Sequence, residues 1–204
     1  MKLSKKGEYA LRSLINLGIA AEMNRKLVQV SELAESEQLP VKFLEQILQA
    51  LKEAGIVESQ RGKFGGYRLG RPAKKILIGE VVRLIDGPLA PIGCVSQSAY
   101  EPCTCPDEAH CGLRMLMLDV RNAIAAILDR YTLSDVVEIT LRKMERDRVS
   151  LPFSPEAAGA PVQARVPARI ARRQLASRVR GQRGARSSSP SEGILHHILG
   201  EYSN

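Results

Sequence analysis

The sequence feature that most constrains the fold is an apolar helical stripe that ends at a glycine and leads directly into a glycine-rich hairpin. Between Val41 and Ala54, leucine and isoleucine recur at i, i+3, i+4 and i+7, which is the spacing of one buried helix face. The positions are Leu44, Ile47, Leu48 and Leu51. Gly55 is typical of a helix C-terminus. Ile56 to Arg61, the turn Gly62 to Gly66, and Tyr67 to Leu69 then predict a β-hairpin.

Two further helices are predicted before this one. The first runs from Ser4 to Met23 with Ser4 as its N-cap, and the second is capped by Ser31 and continues through Glu37. The Leu39-Pro40 step separates the second helix from the third. Helix, turn, helix and hairpin in this order indicate a winged helix-turn-helix, so we predict a mainly α fold with a small β-hairpin wing.

The third helix and the hairpin carry side chains suited to double-stranded DNA. The open face of the helix is polar or charged, and such side chains contact base edges and phosphates. The candidates are Lys42, Glu45, Gln46, Gln49 and Lys52 on the helix, and Arg61, Lys63 and Arg68 on the hairpin. Any one of these residues is also typical of a solvated surface. The order of the elements favours DNA, in agreement with the net charge of +8 and a pI near 9.5.

All four cysteines of the chain fall in one segment that is rich in proline and polar residues. They are Cys94, Cys103, Cys105 and Cys111. Thiolates are the ligands that iron-sulfur clusters and zinc select, and a loop of this kind can wrap around a small inorganic centre. Three chemistries stay open on the residues alone: an iron-sulfur cluster, a zinc site without the two-residue spacing of zinc knuckles, and a thiol-disulfide switch.

A long amphipathic helix is predicted directly after the cysteines. Its apolar residues recur in alternating steps of four and three, which is the a/d pattern of a helix seam. These dimerisation candidates are Leu113, Met117, Val120, Ile124 and Ile127, with Tyr131 continuing the pattern. A helix buried in a single-chain core would show the same stripe. A short final helix is predicted after it, capped by Thr132 or Ser134.

Several motifs together resemble the Rrf2 family of bacterial transcriptional regulators over roughly residues 1 to 142. They are LSKKGEYALR at 3–12, FLEQIL at 43–48, LKEAGIV at 51–57, RGKFGGYRL at 61–69 and GEVV at 79–82. The family includes iron-sulfur cluster regulators, nitric-oxide-sensing repressors and iron-responsive regulators. The resemblance implies a homodimer that binds a DNA operator and carries a 2Fe-2S or 4Fe-4S cluster in a loop before the dimerisation helix.

The resemblance also implies a ligand set. Cys94, Cys105 and Cys111 match the three cluster cysteines of the family, while Cys103 departs from that pattern and is a candidate fourth ligand. Glu8 stands where some relatives use an acidic residue of the partner subunit, and His110 is a third candidate. The alternative function is a zinc-stabilised or thiol-switch winged-helix repressor, or a protein-interaction module without a cluster.

The predicted domain organisation has three parts. Residues 1–88 form the winged helix-turn-helix, residues 89–149 the cysteine loop and dimerisation helix, and residues 150–204 a basic tail that we expect to be disordered. We expect a soluble cytoplasmic protein that makes no membrane contact, because a signal peptide and an apolar run of membrane-spanning length are both absent from the sequence. The sequence also lacks a phosphate loop and a nucleophile elbow, so we predict that it is not an enzyme.

Overall fold

The computed structural model describes residues 2–62 and 64–154. In chain order these residues form α1 (Lys5–Glu22), α2 (Val30–Glu37), α3 (Val41–Glu53), β1 (Val57–Gln60), β2 (Gly66–Leu69), α4 (Ile78–Asp86), α5 (Gly112–Arg130) and α6 (Leu133–Asp147). The predicted fold class is confirmed, with one antiparallel β-hairpin among helices. Within the described residues, none of the helices has the length and apolarity that crossing a membrane requires.

The N-terminus of α1 is held by the C-terminal end of α4. Ser4 is the N-cap, as predicted, and its hydroxyl accepts a hydrogen bond from the Gly7 amide at 3.0 Å. Asp86 accepts hydrogen bonds from the Ser4 amide at 2.8 Å and from the Ser4 hydroxyl at 2.5 Å. A carboxylate beside a helix N-terminus is favoured by the helix dipole. Gly7 permits this contact, because a Cβ there would lie 2.6 Å from the Asp86 carboxylate oxygens.

The predicted cap of α2 is wrong, because the helix begins at Val30 and its N-cap is Gln29. Ser31 therefore lies inside the first turn. The reason is tertiary: Val28 is paired with Tyr67 of the hairpin through two backbone hydrogen bonds of 2.9 and 2.8 Å. This pairing keeps the chain extended up to Gln29, whose amide donates to the Glu32 carboxylate at 3.1 Å.

The hairpin pairs Val57 with Leu69 at its base and Gln60 with Gly66 near its tip. Its two consecutive glycines are required by close backbone contacts. A Cβ on Gly65 would lie 2.2 Å from the Gln60 carbonyl oxygen, and a Cβ on Gly66 would lie 2.5 Å from the Val28 carbonyl oxygen. Gly65 and Gly66 are therefore explained by packing of main chain on main chain, which leaves no room for a Cβ.

One main core unites the first and last helices. The stripe of α3 is fully buried, together with residues of α1, α2 and β1, and α6 contributes Leu133 and Val137 to the same cluster. Thr132 caps α6 as predicted, with Asp135 completing a capping box. The helix is longer than the predicted short one, because its inward face packs along α1.

A short β-bridge fixes the two ends of the segment that contains the cysteines. Leu77, which precedes α4, pairs with Thr132, which precedes α6. The Ile78 amide donates to the Tyr131 carbonyl at 3.0 Å, and the Leu133 amide donates to the Ile76 carbonyl at 2.8 Å. The residues between these points include α4, which contributes Val81 to the main core, followed by the cysteine loop and α5.

Past α6 the chain remains packed on the core through Ser154. Pro152 is buried and Phe153 contacts the main cluster. The remainder of the predicted basic tail, with all of its arginines, lies outside the described residues.

Gly18→Ala is expected to destabilise the fold by about 1–3 kcal/mol, the usual cost of overpacking. A Cβ at this position would lie 2.5 Å from Val137 Cγ2, and a valine on a helix has one strongly preferred rotamer and cannot turn aside. Urea unfolding of the metal-free protein measures the change. Gly112→Ala is the matched control, because its added methyl meets no atom within 4 Å. Equal stability of the two variants would contradict the close packing of α1 on α6.

Candidate nucleic-acid interface and cysteine loop

The outer face of α3 is exposed over its whole length. All five predicted contact residues on this helix, Lys42, Glu45, Gln46, Gln49 and Lys52, are exposed, and the stripe on the opposite face is fully buried. Gln49 Nε2 donates to Glu53 Oε1 at 2.8 Å. The buried stripe therefore fixes the helix against the core and presents amide and charged groups outward.

The position of α2 relative to α1 is fixed by a buried carboxylate. Glu37 ends α2, its side chain is 5% exposed, and its Oε2 lies 2.6 Å from Arg12 Nε. Asn16 Nδ2 donates to the other oxygen at 2.5 Å. Burial raises the pKa of Glu37, and the nearby Arg12 opposes that shift. The Arg12 guanidinium also lies over the Tyr9 ring.

Two of the three predicted wing cations are described. Arg61 is exposed at the end of β1, and Lys63 lies outside the described residues. Arg68 stands opposite Glu58 in the hairpin and pairs with it, with Nη2 and Nε at 2.7 and 3.0 Å from Glu58 Oε2. Arg68 must therefore exchange a carboxylate for a phosphate to contact DNA, whereas Arg61 presents its charge at an open surface.

Each thiol of the cysteine loop lies near at least one other thiol. Cys105 Sγ and Cys111 Sγ lie 4.0 Å apart. Hydrogen bonds with Cys103 and Cys111 raise the pKa of Cys105 to about 12. Burial, followed by the proximity of Cys103, raises the pKa of Cys94. The cysteine loop, residues 94–111, therefore gathers all four sulfur atoms in one neighbourhood.

Cys111 differs from the other thiols because it is the N-cap of α5. The backbone amide of Arg114 is the main cause of a lowered pKa for Cys111, and the amide of Leu113 adds to it. A helix N-terminus stabilises a thiolate in this way. Cys111 is therefore the thiol of the pair with Cys105 that ionises more readily.

Glu108 lies at the centre of the cysteine loop, and sequence reasoning missed it. Its Oε2 accepts hydrogen bonds from Tyr100 Oη at 2.7 Å and from Cys103 Sγ at 3.8 Å. Its Oε1 lies 3.0 Å from Nε of Arg114, on the first turn of α5. One carboxylate thus contacts a thiol, a tyrosine and the helix that follows. The only signal in the sequence was a pair of acidic residues, Asp107 and Glu108, between the last two cysteines.

The two other candidate ligands, Glu8 and His110, have charged partners in their own turns. Glu8 Oε2 lies 2.7 Å from Lys5 Nζ, and this hydrogen bond lowers the pKa of Glu8. His110 Nδ1 lies 2.7 Å from Asp107 Oδ2, and the imidazole is largely exposed. Within residues 2–62 and 64–154, no three Cys, His, Asp or Glu side chains are close enough together to form a metal site. The thiols are therefore neighbours that must still converge before they can share a metal ion.

The apolar seam of α5 faces solvent, with its register shifted from the predicted one. The exposed positions recur in steps of three and four: Leu113, Leu116, Val120, Ala123 and Ile127. Met117 is half-buried, and Ile124 packs against Ile78, Val82 and Leu89. The shift arises because α4 covers one side of α5, where Arg83 and Asp129 form two hydrogen bonds of 2.8 and 2.6 Å.

Comparison with known proteins agrees with this architecture. The profile of the Rrf2 family, described as an iron-dependent transcriptional regulator, matches residues 3–139. An rrf2-like HTH-type transcriptional regulator of Rhodobacter capsulatus is 39% identical over 137 residues, which are 66% of this chain and 91% of that protein.

Two solved structures are similar in fold. CymR, the global cysteine regulator of Bacillus subtilis, has a TM-score of 0.55 and 30% identity, covering 68% of this chain and 98% of that one. IscR of T. potens has a TM-score of 0.53 and 27% identity, covering 69% and 88% respectively. These relatives are transcriptional regulators, in agreement with the prediction that the chain is not an enzyme. On the family profile and these similarities together, the chain belongs to the Rrf2 family of transcriptional regulators.

Proposed function

We propose that this regulator is a homodimer that binds a specific DNA operator, and that an iron-sulfur cluster held by the cysteine loop modulates its affinity for that operator. The observation that carries the proposal is the position of the four neighbouring thiols directly before α5. The last of them belongs to Cys111, the N-cap of this helix, and the apolar seam of the helix is exposed. A change at the thiols therefore acts directly on the helix that would join two protomers.

The dimer is supported by the seam itself. Leu113, Leu116 and Ile127 are each more than half exposed, and Met115 is 64% exposed beside them. A contiguous apolar surface of this kind marks a protein interface. Two copies of α5 can cover one another in the antiparallel or parallel manner of a short coiled coil.

The donor set fits an iron-sulfur cluster. Cys94, Cys103, Cys105 and Cys111 would supply four thiolates, which is the usual number for a 2Fe-2S or a 4Fe-4S centre. A bound cluster would supply an iron centre that reacts with oxygen or nitric oxide and depends on iron supply. The family profile, which names iron dependence, and the similarity to IscR support this choice over zinc.

Glu108 offers a physical route from the thiols to the dimer. Gathering the sulfurs around a metal centre must move Cys103, and Cys103 shares the Glu108 carboxylate with Arg114 of α5. The required coupling is small, because about 1–3 kcal/mol changes affinity about 5- to 150-fold. We infer that loop order and the placement of α5 change together, and with them the spacing of the two α3 helices on DNA.

The thiol pair also favours a second function. Cys105 and Cys111 lie 4.0 Å apart, sulfur to sulfur, and the lowered pKa of Cys111 makes it the more nucleophilic thiol at neutral pH. A peroxide would oxidise the Cys111 thiolate to a sulfenic acid, and attack by Cys105 would then form the disulfide and release water. This switch needs no metal, so metal analysis separates it from the cluster.

Substituting Cys111 by Ala is expected to abolish the visible chromophore of protein purified without oxygen, because one of the four thiolates is removed. Iron and acid-labile sulfide analysis measures the cluster content. Thr104→Ala is the matched control, since Thr104 lies between Cys103 and Cys105 and brings no thiol. A full spectrum in the Cys111 variant would contradict the ligand assignment, and a colourless wild-type protein that carries zinc would favour the zinc-stabilised alternative.

Arg61→Gln is expected to weaken binding to a duplex that the protein selects from a random library. Each phosphate that the variant no longer neutralises reduces the magnitude of the slope of log K against log salt by about 0.9. Fluorescence anisotropy over a salt series measures both quantities. Arg142→Gln removes an equal charge from α6, where Arg142 is largely exposed and pairs with Glu138, and serves as the control. Identical curves for the two variants would argue against contact between the wing and DNA.

Leu116→Asp is expected to convert the dimer to monomers, because a carboxylate buried in the seam loses its hydration. Sedimentation equilibrium of the metal-free protein measures the mass. The same change at Leu84, an exposed leucine of α4, is the control, with both variants checked by thermal melting. A Leu116 variant that remains dimeric would place the interface elsewhere.

A further inference from the structure

A small cleft lies between α5 and the chain that connects α4 to the cysteine loop. Its walls are residues 88–90, residues 96–98 and one side of the second half of α5, and its volume is about 40 Å³. A water-sized group needs about 10–15 Å³, so about three such groups fit inside. The cleft therefore has room for a group of the size of a small oxyanion.

Arg121 of α5 gives the cleft a positive charge. Its Nη1 donates to the Val95 carbonyl at 2.8 Å, and its Nε and Nη2 donate to Asn122 Oδ1 at 3.1 and 2.6 Å. Both acceptors are neutral, and no carboxylate within residues 2–62 and 64–154 is ion-paired with Arg121. The second cation at the cleft, Arg83, is instead paired with Asp129. Since none of the lining residues is acidic, the charge of Arg121 stays uncompensated.

The guanidinium of Arg121 also retains donors for a ligand. An arginine carries one N–H on Nε and two on each terminal nitrogen. The hydrogen bonds to Val95 and Asn122 use one donor on each of the three nitrogens, which leaves one N–H on Nη1 and one on Nη2. Donors on two nitrogens of one guanidinium can bind the two oxygens of a carboxylate.

The other walls of the cleft are apolar on one part and polar on another. Leu89, Ala90 and Ala125 supply aliphatic surface, and the nearly buried Ser96 supplies a hydroxyl. Ligand sites commonly combine an apolar wall with a few placed polar groups. A short hydrocarbon chain can therefore lie on the aliphatic wall while its acidic group binds Arg121.

The cleft lies on a different face of α5 from the exposed seam. Arg121 and Ala125 are four residues apart, so they share one face of the helix. The seam residues Val120, Ala123 and Ile127 recur on another face. A dimer formed through the seam therefore does not require the residues of the cleft.

We propose that this cleft binds a small organic acid of about two to four carbons, with Arg121 holding its carboxylate. A carboxylate is favoured over a phosphate because Arg83 is already paired, so one guanidinium has to neutralise the ligand. The inference goes beyond the proposed function, to which it adds a second ligand that requires no metal. Arg121 binds the residue that follows Cys94, so a ligand held there acts on the start of the cysteine loop.

The test is isothermal titration of the metal-free full chain with acetate, propionate and butyrate at constant ionic strength. We expect saturable binding of one acid per chain, with up to about fourfold higher affinity for each CH₂ that is buried. Arg121→Gln is expected to weaken binding at least about tenfold, because the loss of a charged hydrogen-bond partner has this magnitude. Arg130→Gln is the matched control, since Arg130 is an exposed cation of the same helix outside the cleft.

Ala90→Leu tests the cleft without changing any charge or the bond between Arg121 and Val95. The larger side chain is expected to occupy the aliphatic wall and to abolish binding of propionate and butyrate. Thermal melting checks that each variant is folded, and Ala90→Leu decides the proposal if the Arg121 variant is not. An Ala90→Leu variant that binds butyrate like the wild type would overturn the assignment of the cleft.

The remaining outcomes are equally decisive. Absence of saturable binding of all three acids by the wild type overturns the inference, as does binding that a folded Arg121→Gln variant retains. Inorganic phosphate or sulfate that binds more tightly than propionate, and is lost in the Arg121→Gln variant, overturns the carboxylate in favour of a tetrahedral oxyanion. These measurements use neither DNA nor iron, so their failure leaves the proposed function standing.

Discussion

The structure depends on the close packing of other elements around α1. This helix contacts α2, α3, α4, α6 and β2. Two glycines permit the closest approaches, with Gly7 facing the Asp86 carboxylate and Gly18 facing Val137. The position of α3, of the segment that leads to the cysteines, and of the helix that follows α5 are consequently all defined relative to one helix. A shift of α1 would move the exposed face of α3 and the supports of the cysteine loop together.

The two candidate sites obtain their chemistry from opposite arrangements. On α3, complete burial of the apolar stripe leaves polar and charged groups at the solvent-exposed surface. In the cysteine loop, the polar groups bind one another: Glu108 contacts Tyr100, Cys103 and Arg114, and the thiol of Cys105 contacts that of Cys111. The first arrangement suits a rigid recognition surface. The second suits a segment that reorganises when its sulfur atoms acquire a different partner.

Periodicity and local chemistry predicted much of the fold, and tertiary contacts account for the differences. The stripe of α3, the Ser4 and Thr132 caps and the glycine-rich wing follow from the sequence because each depends on residues close together in the chain. The cap at Gln29 does not, because it is imposed by pairing of Val28 with a strand almost forty positions later. Two seams of equal period exist on α5, and only its contact with α4 determines that Ile124 turns inward. Glu108 was missed because its importance arises from three partners that the loop brings together.

The β-bridge between Leu77 and Thr132 fixes the C-terminal end of α5, so a rotation of this helix would be centred at that end. Tyr131 is bonded to Ile78 there, Asp129 is paired with Arg83, and Leu128 packs on the second apolar cluster. The opposite end begins at Cys111. A helix of 19 residues is about 28 Å long, so a rotation of about 5° about the C-terminal end of α5 would displace its N-terminal end, at Cys111, by about 2.5 Å. Movements on the scale of one metal-sulfur bond at the loop thus correspond to only a few degrees of rotation at the bridge.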